Sequence, residues 1–332
     1  MTRTDAKPAA GTPATPTAPE KTGEQLAAEK TAAVQRQVKA LDQLLTSVVR
    51  LEPFSFDRLL AAPVIPRFDP GWLGLALTAP NWDTFAPAPA AGLGRLFRRS
   101  SHKRRLTVAR AEYQAAQTAY LHAEAQRSRA LTAAKTKHDR QVTEEHARAA
   151  GQNADITRRR LAFASGDAES VEWFVGQAID ASRYLNVFPR DYQVTYRART
   201  VRVQAELPPG RIVPSARAFR HVASRDAVEP LPRPDREIRQ RYKRVVCSAA
   251  LRVLHVIFAA TPAEVVDTVA FGGWVCAADP ATGQAIRPCL VSVTADRATF
   301  GELVLTSAEP VACVAHLSGI VSADPYGLVP IS

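Results

Sequence analysis

Apolar residues recur along this chain with helical spacing in its first half and with both helical and alternating spacing in its second. Between Thr22 and Arg50, Val34, Val38, Leu41, Leu45 and Val48 fall four and three residues apart. This predicts a helix that Pro53 ends. Its narrow apolar stripe suits a coiled-coil partner, and the long helix further along is a candidate. From Leu106 the same alternation picks out Ala109, Tyr113, Ala116, Tyr120, Ala123, Arg127, Ala130, Ala134 and Lys137, a heptad seam built mostly of small residues. The register slips by four near Ala134, and His138, Val142, Glu145, Ala149 and Ile156 carry it on. Gly151-Gln152-Asn153 reads either as a break or as a hairpin turn. Unbroken, Lys103 to Phe163 would span roughly 90 Å at 1.5 Å per residue. A seam made of alanine buries little area, so this helix is expected to pair, within the chain or between two copies.

Past Ser165-Gly166-Asp167, a stop followed by a new cap, Ala168–Ser182 has the apolar face of an amphipathic helix (Val171, Phe174, Val175, Ala178, Ile179). The period then changes to two. Tyr192, Val194 and Tyr196, then Val201, Val203, Ala205 and Leu207, predict a hairpin with Arg197, Arg199 and Arg202 near its turn. Short strands are expected within residues 211–223. A helix from Asp235 to about Ala260 follows, with a broad apolar face and a Thr261-Pro262 stop. Val265–Cys276 and Ile286–Ala295 flank Asp279-Pro280-Ala281-Thr282-Gly283 as a second hairpin, and a short helix over Arg297–Leu303 leads to the tail.

Two stretches fit neither period. Residues 1–21 are rich in Pro, Thr and Ala and are expected to be a disordered tail. Residues 51–94 combine prolines with Phe54, Phe56, Phe68, Trp72, Trp82 and Phe85, which predicts an extended strap anchored in a groove ring by ring. The architecture expected is therefore α+β: a tail (1–21), a helix (22–50), a Pro/aromatic-rich strap (51–94), a long basic coiled-coil-like helical arm (95–164) and a domain of helices and β-hairpins (165–332).

Charge sharpens this picture. The formal net charge is +11, and residues 95–160 hold sixteen Lys and Arg against six Asp and Glu. Nearly all of the excess therefore lies on one element, which favours a polyanionic partner. Arg95, Arg98, Arg99, Lys103, Arg104 and Arg105 crowd the start of the long helix, and Arg158, Arg159 and Arg160 sit near its far end. The first cluster opposes the helix macrodipole, which prefers acids there. Contacts to DNA phosphates would explain its placement, and a solvated face is the competing reading.

Catalytic patterns are missing. There is no Gly-Lys phosphate loop, no G-x-S-x-G and no H-E-x-x-H, and no histidine has another three or four residues on. His255 reads as a core histidine. Cys247, Cys276, Cys289 and Cys313 form no C-x-x-C pair, so neither metal nor cofactor is expected, and Cys276 and Cys289 read as small buried thiols. No signal-like or membrane-spanning run is seen, which gives the expectation of a cytoplasmic protein with no membrane partner.

LEPFSFDRLL (51–60), the basic helix after GLGRLF (92–97), and DTVAFGGWV (267–275) with DPATGQAIRPCLVSVTA (279–295) resemble the N-terminal region of bacterial restriction-system proteins that end in an Mrr-like nuclease domain. The resemblance covers about residues 45–332 and implies association with DNA. Mrr-like nucleases cut with a carboxylate-bound divalent metal and an acid…(Glu/Gln)-x-Lys pattern on adjacent strands. This sequence departs from that pattern. Its last lysine is Lys243, and Leu290-Val291-Ser292-Val293 stands where the strand opposite Asp267 would need its acid-x-Lys. Gln37-Val38-Lys39 lies in a predicted helix. The chain is thus expected to be the family's N-terminal part without its nuclease domain. It would be non-catalytic by itself, homo-oligomeric through the helical arm, and served by a separate nuclease subunit if DNA is to be cut.

Overall fold

The computed structural model describes residues 22–88, 99–182, 188–279 and 281–331. The expected tail at 1–21 lies outside them. In chain order the helices are α1 (Gly23–Asp42), α2 (Leu44–Val49), α3 (Trp82–Phe85), α4 (Arg99–Ala164), α5 (Ala168–Ala181), α6 (Asp235–Ala260), α7 (Arg297–Gly301) and α8 (Pro310–His316). The strands are β1 (Tyr192–Arg197), β2 (Thr200–Glu206), β3 (Ala216–Val222), β4 (Ala227–Pro232), β5 (Thr268–Trp274), β6 (Ala277–Ala278), β7 (Ala285–Ile286), β8 (Cys289–Asp296) and β9 (Ile320–Val321). The chain forms two compact units, one of residues up to Arg58 and from Arg159 onward, the other of Leu59–Arg158. The fold is α+β.

The larger unit is built on a mixed sheet of order β1-β2-β5-β8-β9. β2 and β5 run parallel and the other neighbours antiparallel. Ala198 and Arg199, the two residues between β1 and β2, both have left-handed backbone (φ 48° and 60°). A two-residue turn with positive φ at both positions matches the twist of the strands it joins. The Arg199 carbonyl then accepts from the N–H groups of Asp267 (2.9 Å) and Thr268 (3.2 Å), so this turn also seeds the parallel pairing with β5.

Val201, Val203, Val269, Phe271, Val291 and Val293 point to one face of the sheet and are buried there. α6 fills that side. From Val245 on it is apolar nearly all round, as a helix in the middle of a core must be, and Tyr242, Val246, Cys247, Leu251, Leu254 and Ile257 are fully enclosed. The opposite face carries the exposed side chains of Gln193, Thr195, Arg197, Arg202, Gln204 and Thr294. On that face Gln204 lies across Gly272, where a Cβ would stand 2.4 Å from its Oε1. The free edge of β1 is covered by a side chain: Glu172 of α5 accepts from the Tyr196 N–H at 2.8 Å.

Two expectations change here. α1 does not lie along another helix but on the β3–β4 hairpin. The Thr31 hydroxyl accepts from the Phe219 N–H (2.8 Å) and donates to the Phe219 carbonyl (3.3 Å). Its narrow apolar stripe suits this flat hairpin surface, and α2, wholly apolar on one side, goes into the core against α6 through Leu44, Leu45 and Val48. Strand structure in the 211–223 region begins only at Ala216, after a short 3₁₀ turn, and pairs with β4, which contains Pro230 and Pro232. Proline is tolerated there because the hairpin has only two strands.

The Phe-Ser-Phe segment of 51–60 also belongs to this unit. Phe56 stacks on Phe174 (centroids 4.3 Å apart), and Phe54, Phe163 and Trp173 complete the aromatic cluster.

The smaller unit has a strap and a helix. α4 is continuous through Gly151-Gln152-Asn153, so neither a break nor a turn occurs there. Residues 59–88 lie along it antiparallel. Ala61 meets Asn153, Pro66 and Phe68 meet His138, Leu73 and Leu77 meet Arg127 and Glu124, and Trp82 and Phe85 meet Tyr113. From Asn153 to Tyr113 the helix rises about 60 Å, which the strap matches at about 2.7 Å per residue, close to polyproline II with a few tight turns.

Candidate nucleic-acid interface

The strap decides which residues of α4 face outward. From His102 to Ile156 the part-covered residues are His102, Leu106, Ala109, Tyr113, Ala116, Tyr120, Glu124, Arg127, Leu131, Ala134, His138, Val142, Glu145, Ala149, Asn153 and Ile156, and every residue between them is exposed. Fifteen steps over fifty-four residues is the 3.6-residue period of a straight helix, not the 3.5 of a supercoiled one. The expected seam holds as far as Tyr120, at Arg127 and Ala134 and, after the expected slip, from His138 through Val142, Glu145 and Ala149 to Ile156, and it fails at three positions. Ala123, Ala130 and Lys137 are exposed, and Glu124, Leu131 and His138 take their places.

The partner explains the change. An extended strap presents bare backbone N–H and C=O groups, which apolar side chains cannot satisfy. Arg127 donates to the Leu73 carbonyl and holds Glu124 beside it, the Glu124 carboxylate accepts from the Leu77 N–H (3.4 Å), and His138 Nε2 donates to the Pro66 carbonyl (2.8 Å). The hydrogen bond from Arg127 keeps the Glu124 carboxyl below the usual carboxylate range.

Outside this stripe α4 is cationic. Lys103, Arg104, Arg105, Arg110, Arg129, Lys135, Lys137 and Arg140 are all exposed, and none takes part in an ion pair among the described residues. They extend over about 55 Å of helix. Of the sequence-selected cluster, Lys103, Arg104 and Arg105 belong to this set. Arg95 and Arg98 lie outside the described residues, as does the side chain of Arg99. The far cluster is engaged differently. Arg158 pairs with Asp155 (2.7 Å), and Arg160 pairs with Asp57 (3.1 Å). Arg159 lies over the Trp173 ring (4.8 Å), with Glu169 at 3.9 Å. Arg110, Arg129, Lys135 and Arg140 are spread out rather than clustered in the sequence, and Lys137 falls on the heptad seam that would turn it inward. For Arg110, Arg129 and Lys137 the signal was the lack of an acid three or four residues away, whereas Lys135 and Arg140 have Asp139 and Glu144 four residues on.

Three arginines of the larger unit do a different job. Arg252 is 2% exposed and donates to the carbonyl of Leu44 (2.8 Å), the hydroxyl of Ser47 (3.0 Å) and the carbonyl of Ser182. Arg297 donates to the carbonyls of Phe258 (2.7 Å), Thr261 (2.9 Å) and Val266 (2.8 Å), tying the end of α6 to the loop that follows. Arg233 bridges the carbonyls of Pro214 and Ala216 and the carboxylate of Glu237. These charges are consumed in holding backbone ends together, whereas those on α4 are left to solvent.

A cavity of about 230 Å³ opens among α2, α5 and α6, lined by Val48, Phe54, Ala178 and Val256 with Glu52, Arg58 and His255. His255 therefore borders a cavity rather than sitting inside the core. Burial, helped by the charge of Arg252, lowers its pKa. No hydroxyl or thiol is hydrogen-bonded to it among the described residues, so it lacks the partner that would make it the base of a nucleophile. All four cysteines are free. Cys276 is exposed, against the expectation of a buried thiol, because it lies in the loop after β5, beyond the buried Val275. Burial pushes the Cys247 thiol up to about 12. Among the described residues no three His, Cys, Asp or Glu side chains come together as a metal site, and no helix is long and apolar enough to cross a membrane.

Comparison with family models, with curated proteins and with solved structures returns no match for this chain.

Proposed function

We propose that this chain is a non-catalytic, DNA-associated component of a restriction or phage-defence system, acting in the cytoplasm, in which the outer face of α4 contacts the phosphates of duplex DNA. The carrying observation is the run of eight exposed cations, without ion pairs among the described residues, from Lys103 to Arg140. Contacts of this kind fix position on a duplex without reading its sequence. The defence setting rests on the resemblance carried by residues 51–60 and 267–295, and cutting would need a nuclease subunit supplied by another chain.

The test is a titration of duplex DNA with the purified chain at about 50 and 200 mM salt. If six to eight phosphates are neutralised, affinity falls by roughly 10³ to 10⁴ between the two. Absence of binding at the lower salt overturns the reading.

One observation favours a second reading, a coiled-coil scaffold that binds protein alone. Ala111, Ala115, Ala133, Ala147 and Gly151 lie on the exposed side of α4, and small residues let another helix approach closely. Lack of any DNA affinity, together with a helical partner, would favour it.

A further inference from the structure

The smaller unit has almost no interior. Among its described residues only Ala109 and Ala149 are buried. A segment of that length orders its backbone at a cost of about 1 kcal/mol or more per residue, against which stand two buried alanines and a stripe of half-covered side chains. The strap meanwhile turns large apolar side chains outward. Val64 is 73% exposed, Trp72 69% and Leu75 72%, with Leu60, Ile65 and Leu77 partly so. Their summed exposed surface is on the order of 600 Å², close to the roughly 800 Å² per partner of a standard interface.

Charge separates this ridge from the rest of the arm. Residues 59–88 contain one Arg and two Asp, so the strap is near neutral while the remaining faces of α4 are cationic. Arg127, the cation beneath the strap, is held by Glu124. A second copy can approach here without meeting the charge that would repel it elsewhere.

We propose that the strap ridge is the seam of a homodimer, in which two smaller units bury Val64, Ile65, Trp72, Leu75 and Leu77 against each other. A two-fold axis near residues 68–72 sets Val64 and Ile65 of one copy against Leu75 and Leu77 of the other, the self-complementary arrangement that a dimer interface requires. The heptad seam is not that interface, because the strap already occupies the inward stripe of α4. The cations of both copies then remain outward. This proposal is independent of the DNA reading.

The full chain, free of DNA and at about 0.5 M salt, is examined by sedimentation equilibrium and light scattering. The expected mass is that of two chains. The double variant Trp72→Asp, Leu75→Asp should weaken association by about a hundredfold or more, with far-UV circular dichroism unchanged because both sites are exposed. The milder Leu75→Gln variant, which leaves Trp72 in place, should weaken it about tenfold. A wild-type mass of one chain, or a dimer that survives the double substitution, overturns the proposal. A monomer that floats with anionic lipid vesicles overturns it too, and reassigns the ridge to a membrane surface.

Discussion

Asn153 grips Ala61 with both ends of its amide. The side-chain oxygen accepts from the Ala61 N–H at 2.8 Å, and the side-chain nitrogen donates to the Ala61 carbonyl at 3.0 Å. One helical side chain thereby does what a neighbouring β-strand would do for the strap backbone, and it sets the register of everything that follows. Substituting Leu at Asn153 removes both bonds, and Asp keeps only the accepting one. The expected loss is about 1–2 kcal/mol for Leu and less for Asp. Hydrogen exchange at residues 61–68 should quicken in the same order, while exchange in α6 stays unchanged.

The turn between β1 and β2 places two non-glycine residues in left-handed backbone. Asn tolerates that conformation better than Ala. Ala198→Asn should therefore stabilise the larger unit by roughly 0.5 kcal/mol, measured by urea unfolding. Ala198→Val should cost more than that, since a branched side chain adds to the clash.

His255 gives a pH dependence whose sign can be worked out. Its folded pKa is below the ordinary 6.5, through burial first and the Arg252 charge second. As pH falls through 6.5, the unfolded chain takes up a proton that the folded one refuses, so stability declines toward the folded pKa. The group is neutral in both states well above 6.5 and contributes nothing there. Unfolding of wild type and of His255→Gln at pH 7.5 and 5.5 should show the wild type losing more stability between the two. Equal losses would remove His255 as the cause. Glu52 and Arg58, which share the cavity, are unchanged in the variant.

On α4, cations should act one by one. If Arg129, Lys137 and Arg140 each neutralise a phosphate, every replacement by Gln should reduce the slope of log affinity against log salt by about 0.9. The three together should reduce it by close to 3. Replacing Arg127 should leave the slope unchanged and loosen the strap instead, because its guanidinium is engaged with Leu73 and Glu124. Equal effects at Arg127 and Arg129 would contradict the assignment of faces.

How legible all this was from the sequence varied with the kind of partner each segment has. The α6 helix was readable because its apolar face is broad and Thr261-Pro262 stops it. The β1–β2 hairpin was readable because its pairing is local. β5 lies beside β2 although Thr200 and Thr268 are far apart in the chain, and no local pattern announces such a neighbour. On α4 the reading favoured Ala123 over Glu124 because apolar residues are the usual inward ones. An extended strap reverses that preference at selected turns, where Glu124, Arg127, His138 and Asn153 face inward to serve its backbone. The free cations were only half visible, since clustering drew attention to Arg158, Arg159 and Arg160, which have partners.

The straight stripe on α4 also constrains how this arm can change over evolution. Its pattern closes on itself every eighteen residues, from His102 to Tyr120, His138 and Ile156, which is five turns or about 27 Å. The strap covers that distance with about ten residues at its observed pitch. A lineage can lengthen or shorten the arm only by gaining or losing both pieces together. An insertion in one alone would throw every later anchor out of register. The two segments, separated in the gene, therefore act as a matched ruler, and length variation among descendants should appear as paired steps of about eighteen and ten residues.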